Sequence, residues 1–104
     1  MSHVSSMVVT CSAIEEDEDG GLPALHDWCA SLERPVRFGT LDDDPAVCQS
    51  KAMQVLILAC AANYFDEDAL VEAFPRFPWL LPEDAVLVIH PEHGGTRIVR
   101  GGSR

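Results

Sequence analysis

Residues 52–62, AMQVLILACAA, constrain this chain more than any other stretch. Both alternating sets are apolar, with Met53, Val55, Ile57 and Ala59 on one and Leu56, Leu58 and Cys60 on the other. A strand with that pattern asks to be covered on both faces, as central strands are. Gln54 interrupts the run, which also falls well short of the roughly 20 residues that span a bilayer. Residues 52–61 therefore read as a buried central strand. A buried helix is the competing assignment, because Ala and Met are frequent here and the run is long for a strand.

The other elements arrange themselves around this one. MVVTCSAI (7–14) is rich in β-branched and small residues without helical spacing and reads as a strand. In LPALHDWCASLE (22–33), Leu22, Leu25, Trp28 or Cys29, and Leu32 recur at helical intervals. Pro23 suits the first turn of that helix, and Pro35 ends it. VRFGTL (36–41) alternates as a second strand, and Asp42 to Pro45 turn the chain. Asp66 is a suitable N-cap for a second helix, EDALVEAF, which places acids in its first turn and Leu70, Val71 and Phe74 inward. Pro75 and Pro78 stop it, and Trp79 in PWLLPED is expected to plug one end of the core. AVLVIH (85–90) and TRIVR (96–100), joined through PEHGG, read as a hairpin. These boundaries predict one domain over 7–100, with flexible segments at 1–6 and 101–104.

This order of elements resembles the ferredoxin-like split βαβ sandwich, β-α-β-β-α-β, with one strand added by the C-terminal hairpin. The resemblance implies an α+β fold with two helices on one face of a mainly antiparallel sheet. It implies no functional residue, because such folds host many unrelated activities. Two helices cover one face only, so the apolar second face of 52–61 predicts a partner there, either a second copy of the chain or a different protein.

Charge limits the function classes. Seventeen acids against seven bases give a net charge of −10, the wrong sign for neutralising phosphates, so no nucleic-acid partner is expected. Nearly half of the 104 residues are apolar, so this acidity sits on a folded body. In the expected topology the loops after the first strand, after the second strand and before the fourth emerge at one end. That would gather Glu15, Glu16, Asp17, Glu18, Asp19, Asp42, Asp43, Asp44, Glu83 and Asp84 at one pole. These residues form the candidate site, a surface for a basic protein partner. Solvated loops are the plainer reading of the same residues, and a weak cation site assembled from several loops is a third. The sequence-level reading is a small, non-catalytic, cytoplasmic interaction module of the inhibitor or immunity type. The alternative is a small dimeric enzyme or ligand binder, with His26, Cys29 or His90 near a pocket between sheet and helices.

Motifs for chemistry are sparse. On an EF-hand loop Glu15, Asp17 and Asp19 would fall at ligand positions and Gly20 at the glycine, but His26 stands where the bidentate glutamate belongs, and a strand precedes the loop. Cys11, Cys29, Cys48 and Cys60 contain no C-x-x-C pair and read as free thiols. His26 and Cys29 lie one helical turn apart, and HPEHGG (90–95) sets His90, Glu92 and His93 around a turn. Neither group matches a catalytic or metal signature, and no Walker loop, dinucleotide fingerprint, G-x-S-x-G or H-E-x-x-H occurs. No cofactor or metal is expected. MSHVSS has no basic or apolar signal character, and no membrane association is expected.

Overall fold

The computed structural model describes residues 3–40 and 55–102. It is an α+β fold in which two helices pack on an open, five-stranded antiparallel sheet. The strands are β1 (Val4–Ser12), β2 (Gly39–Thr40), β3 (Val55–Asn63), β4 (Val86–Pro91) and β5 (Arg97–Arg100). Helix α1 (Gly21–Ala30) follows β1, and α2 (Glu67–Ala73) follows β3. The sheet order is β2-β3-β1-β4-β5, with every pairing antiparallel. Among the described residues, no helix is long and apolar enough to cross a membrane.

The apolar run resolves as strand. Residues 55–63 pair with all of β1, from Val4 opposite Asn63 to Ser12 opposite Val55. Residues 52–54 lie outside the described residues. The register puts Met7, Val9 and Cys11 beside Cys60, Leu58 and Leu56, and Leu87 and Ile89 continue the same face on β4. Leu22, Leu25 and Cys29 from α1, Leu70 from α2, and Phe74 close over that face. Aromatic rings tie the two helices together: Trp28 meets Phe65 and Phe77 edge-on, and Phe74 lies 4.9 Å from the Trp79 ring. Each such side chain contributes about 1.5–3 kcal/mol on burial, so this single layer supplies most of the stabilisation.

Several expected boundaries move. The first strand begins at Val4 and ends at Ser12, so residues 4–6 belong to the ladder and Ala13–Glu16 form a 3₁₀ turn. Ser12 caps that turn through its hydroxyl. Helix α1 ends at Ala30, well before Pro35, with Ser31 donating its hydroxyl to the Trp28 carbonyl. Of the described residues 36–40, Gly39 and Thr40 join the sheet, although Phe38 is buried, and Leu41 lies outside the described residues. The chain end is held as far as Gly101, which is buried and donates its N–H to the Ala85 carbonyl. Asp66 caps α2 through Ala69, and Trp79 plugs the core as expected, donating Nε1–H to the Phe74 carbonyl at 2.8 Å.

The largest correction concerns Glu15. The acidic run predicts a surface residue here, but its side chain is fully buried and accepts three backbone N–H groups. Oε1 takes those of Gly21 at 3.1 Å and Leu80 at 2.9 Å, and Oε2 takes that of Leu81 at 2.9 Å. Gly21 is the first residue of α1, and Gly20 before it offers no capping side chain, so Glu15 caps the helix from six residues upstream. The two glycines make room. A Cβ at Gly20 would stand 2.2 Å from the Glu15 carbonyl oxygen, and one at Gly21 would stand 2.1 Å from the Trp79 ring.

Removing this carboxylate strands three N–H donors. Glu15→Ala is expected to cost about 3–5 kcal/mol, and Glu15→Gln, which turns an acceptor into a donor facing Leu81, about 1.5–3 kcal/mol. Glu16→Gln and Glu18→Gln should stay within about 0.5 kcal/mol of the wild type. Urea unfolding of the four variants checks this, and equal midpoints for Glu15→Gln and Glu16→Gln would contradict it.

Candidate functional site

The strand registers bring part of the acidic set together. Ser12 lies opposite Val55 and Thr10 opposite Val86, so the loop after β1, the start of β3 and the turn before β4 share one end of the sheet. Glu16, Asp17, Glu18, Asp19, Glu83 and Asp84 are exposed there. Glu15 shares that end but points into the protein. Asp42, Asp43 and Asp44 lie outside the described residues.

The two ends of the sheet use their acids differently. At the far end, Asp66 is committed to its cap, and Asp68 accepts from Arg97 at 2.6 Å. The Glu67 carboxylate accepts the hydroxyl of buried Ser5 and lies 4.0 Å from the Arg97 guanidinium. At the acidic end, the side chains of Glu16, Asp17, Glu18, Asp19, Glu83 and Asp84 make no hydrogen bond or ion pair among the described residues. Like charges 4 Å apart repel by about 1 kcal/mol in water and are screened over about 8 Å at cellular salt. Exposure keeps that cost tolerable while leaving the carboxylates free.

An open cleft of about 630 Å³ adjoins this end, between Leu81–Asp84 and Arg100–Gly102. A second open groove of about 950 Å³ runs between the chain at 33–37 and the outer part of β3. The layer between sheet and helices, where a ligand pocket was the alternative expectation, is filled by Met7, Val9, Leu25, Leu58, Leu70 and Phe74.

The residues considered for chemistry do not converge. His26 is exposed and Cys29 buried, so they face different environments despite their spacing. His90 sits on the face opposite the helices, with Nδ1 3.2 Å from the Thr96 hydroxyl, whereas His93 stacks against His3 at 5.6 Å. The sequence could not anticipate that second pairing, because it depends on β1 lying beside β4. No group of three metal-ligating side chains occurs among the described residues. Cys11, Cys29 and Cys60 are free thiols. Burial, reinforced by Glu15 and Glu16, pushes Cys11 up to about 12, and burial with nearby Cys60 pushes Cys29 up to about 11. Thiols held protonated in this way are poor nucleophiles.

Sequence reasoning pointed to the open face through β3 alone and missed its extent. Val8, Ile57, Ala59, Val88 and Ile98 lie opposite the helices, and the register aligns Ala59, Val8, Val88 and Ile98 in one row across four strands. Ile98 is 67% exposed. The doubly apolar pattern of β3 gave half of this signal; the contribution of β5 appears only with the pairing. Comparison of the chain with protein-family models, with curated proteins and with solved structures finds no match.

The buried thiols set a pH dependence. In the unfolded chain they ionise near 9.0, whereas the folded state holds Cys11 and Cys29 protonated to about 12 and about 11. The folded state then binds more protons, so this stabilisation is complete below pH 9 and is lost as pH rises towards 11 and 12. The urea midpoint should fall less steeply above pH 9 in Cys11→Val/Cys29→Ala than in the wild type. Parallel curves would exclude the thiols as the cause.

Proposed function

We propose that this protein is a small, non-catalytic interaction module whose acidic pole meets a basic protein surface, in the manner of inhibitor and immunity proteins. The observation that carries the reading is the group of uncommitted carboxylates at one end of the sheet, set against the paired acids at the other. Free carboxylates raise association rate and partner discrimination more than they raise affinity. Asp42, Asp43 and Asp44 belong to the same proposal on sequence grounds. The accompanying fold assignment is ferredoxin-like, supported by β1 lying between β3 and β4 with β2 outside β3. Free cysteines support a reducing compartment, the cytoplasm.

A basic partner retained from lysate of the native host is purified and its binding kinetics measured. Relative to wild type, the variant Glu16→Gln/Asp17→Asn/Glu18→Gln/Asp19→Asn/Glu83→Gln/Asp84→Asn should associate at least about tenfold more slowly and lose its salt dependence. Glu72→Gln, which neutralises an exposed acid outside the pole, should behave as wild type. Unchanged kinetics in the sixfold variant would refute the proposal.

The same reading includes a homodimer formed through the open face. It is supported by the row of Ala59, Val8, Val88 and Ile98, which carries no charge and would pack sheet to sheet. Sedimentation equilibrium should give a dimer for wild type and a monomer for Val88→Lys/Ile98→Lys. A monomeric wild type rules this part out.

A further inference from the structure

We infer that the groove between residues 33–37 and the outer edge of β3 is a docking site for an extended peptide segment bearing a carboxylate side chain. Three observations meet there, and none depends on the acidic pole.

The first is an open sheet edge. Among the described residues, strand β2 pairs through Gly39 with Ala59 and Thr40 with Leu58. From Cys60 to Asn63, β3 is paired with β1 on one side and, among the described residues, with no strand on the other. The approaching chain is drawn away towards α1, because Val36 donates its N–H to the Cys29 carbonyl at 3.4 Å. A wedge-shaped groove of about 950 Å³ is left beside the strand. Backbone groups along an open edge are satisfied by a further strand, which selects an extended peptide over a compact ligand.

The second is charge. Arg34 and Arg37 line the groove together with Glu33 and Asp66; both arginines are exposed and have no ion-pair partner among the described residues, whereas Asp66 is committed to the cap of α2. Arg76 is committed to Glu72 and Arg97 to Asp68, and Arg100 lies beside Glu83 and Asp84 in the cleft at the acidic end. Two uncommitted guanidiniums beside a strand edge fit a carboxylate in forked geometry. They also disfavour a second copy at this edge, since the same arginines would face each other.

The third is the wall. Trp28 and Phe65 pack edge-on beneath the groove, and Tyr64, 59% exposed, holds a left-handed backbone at φ +53°. An aromatic residue in that conformation is strained, and aromatic and arginine side chains together are typical anchors of a binding surface.

The test titrates the ¹⁵N-labelled full chain with the peptide acetyl-TVDVEV-amide. The amides of residues 60–63 should shift and exchange more slowly with solvent, and the side chains of Arg34 and Arg37 should shift with them. Arg34→Gln/Arg37→Gln should weaken binding about tenfold. The same peptide N-methylated at alternate backbone amides should not bind. Equal shifts with acetyl-TVKVKV-amide, shifts confined to the arginines and matched by acetate, or peptide-independent shifts that grow with protein concentration would each overturn the inference. The sixfold acidic-pole variant should bind the peptide unchanged, which separates this site from the proposed function.

Discussion

The Glu15 carboxylate is the constraint on which the rest of the tertiary arrangement depends. It joins three segments distant in sequence: the turn after β1, the first residue of α1, and the loop that carries Trp79. A buried carboxylate is costly unless every lone pair has a donor. Here the donors are backbone N–H groups, and the start of a helix adds a favourable dipole. The carboxylate thereby fixes where α1 begins and where Trp79 enters the core. Gly20 and Gly21 follow from that geometry, since the backbone of Glu15 and the indole of Trp79 occupy the space of their missing side chains. A run that looks like uniform surface acidity is one structural acid followed by four solvent-facing ones.

That division organises the protein electrostatically. Near Asn63 and Val4, acids are matched by Arg97, by the Ser5 hydroxyl and by the α2 cap. Near Ser12 and Val86 they are unmatched among the described residues. Since exposed ion pairs contribute little to stability, the difference bears mainly on what the surface attracts. In the β3 groove Arg34 and Arg37 offset Glu33 and Asp66, which makes its lining neutral on an otherwise acidic body.

Much of the architecture was legible in local pattern. Both helices, the β4–β5 hairpin, the Asp66 cap and the Trp79 plug follow from periodicity, proline placement and capping chemistry, all short-range effects. The errors cluster where a long-range contact overrides the pattern. Residues 4–6 looked like a loose leader, yet Ser5 bonds to Glu67 and Val4 pairs with Asn63. Val36 and Phe38 alternate as a strand should, but the Val36 N–H is claimed by Cys29, so the described part of this segment reaches the ladder at Gly39 and Thr40. Of the candidate site, the gathering of two acidic loops was deducible from element order. The withdrawal of Glu15 was not, because its partners at Leu80 and Leu81 are remote in sequence.

Composition and periodicity by themselves determined an acidic α+β chain, two amphipathic helices and a doubly apolar strand. Those properties depend on residue type and near-neighbour spacing, which a sequence carries in full. Tertiary structure alone decided which acid is interior, that Val8, Val88 and Ile98 form one apolar row, and, among the described residues, which carboxylates stay unpaired and that β3 has no neighbouring strand beside Arg34 and Arg37. Each of these depends on strand register and on contacts between segments tens of residues apart, where the free energy of pairing belongs to the pair and to neither segment alone.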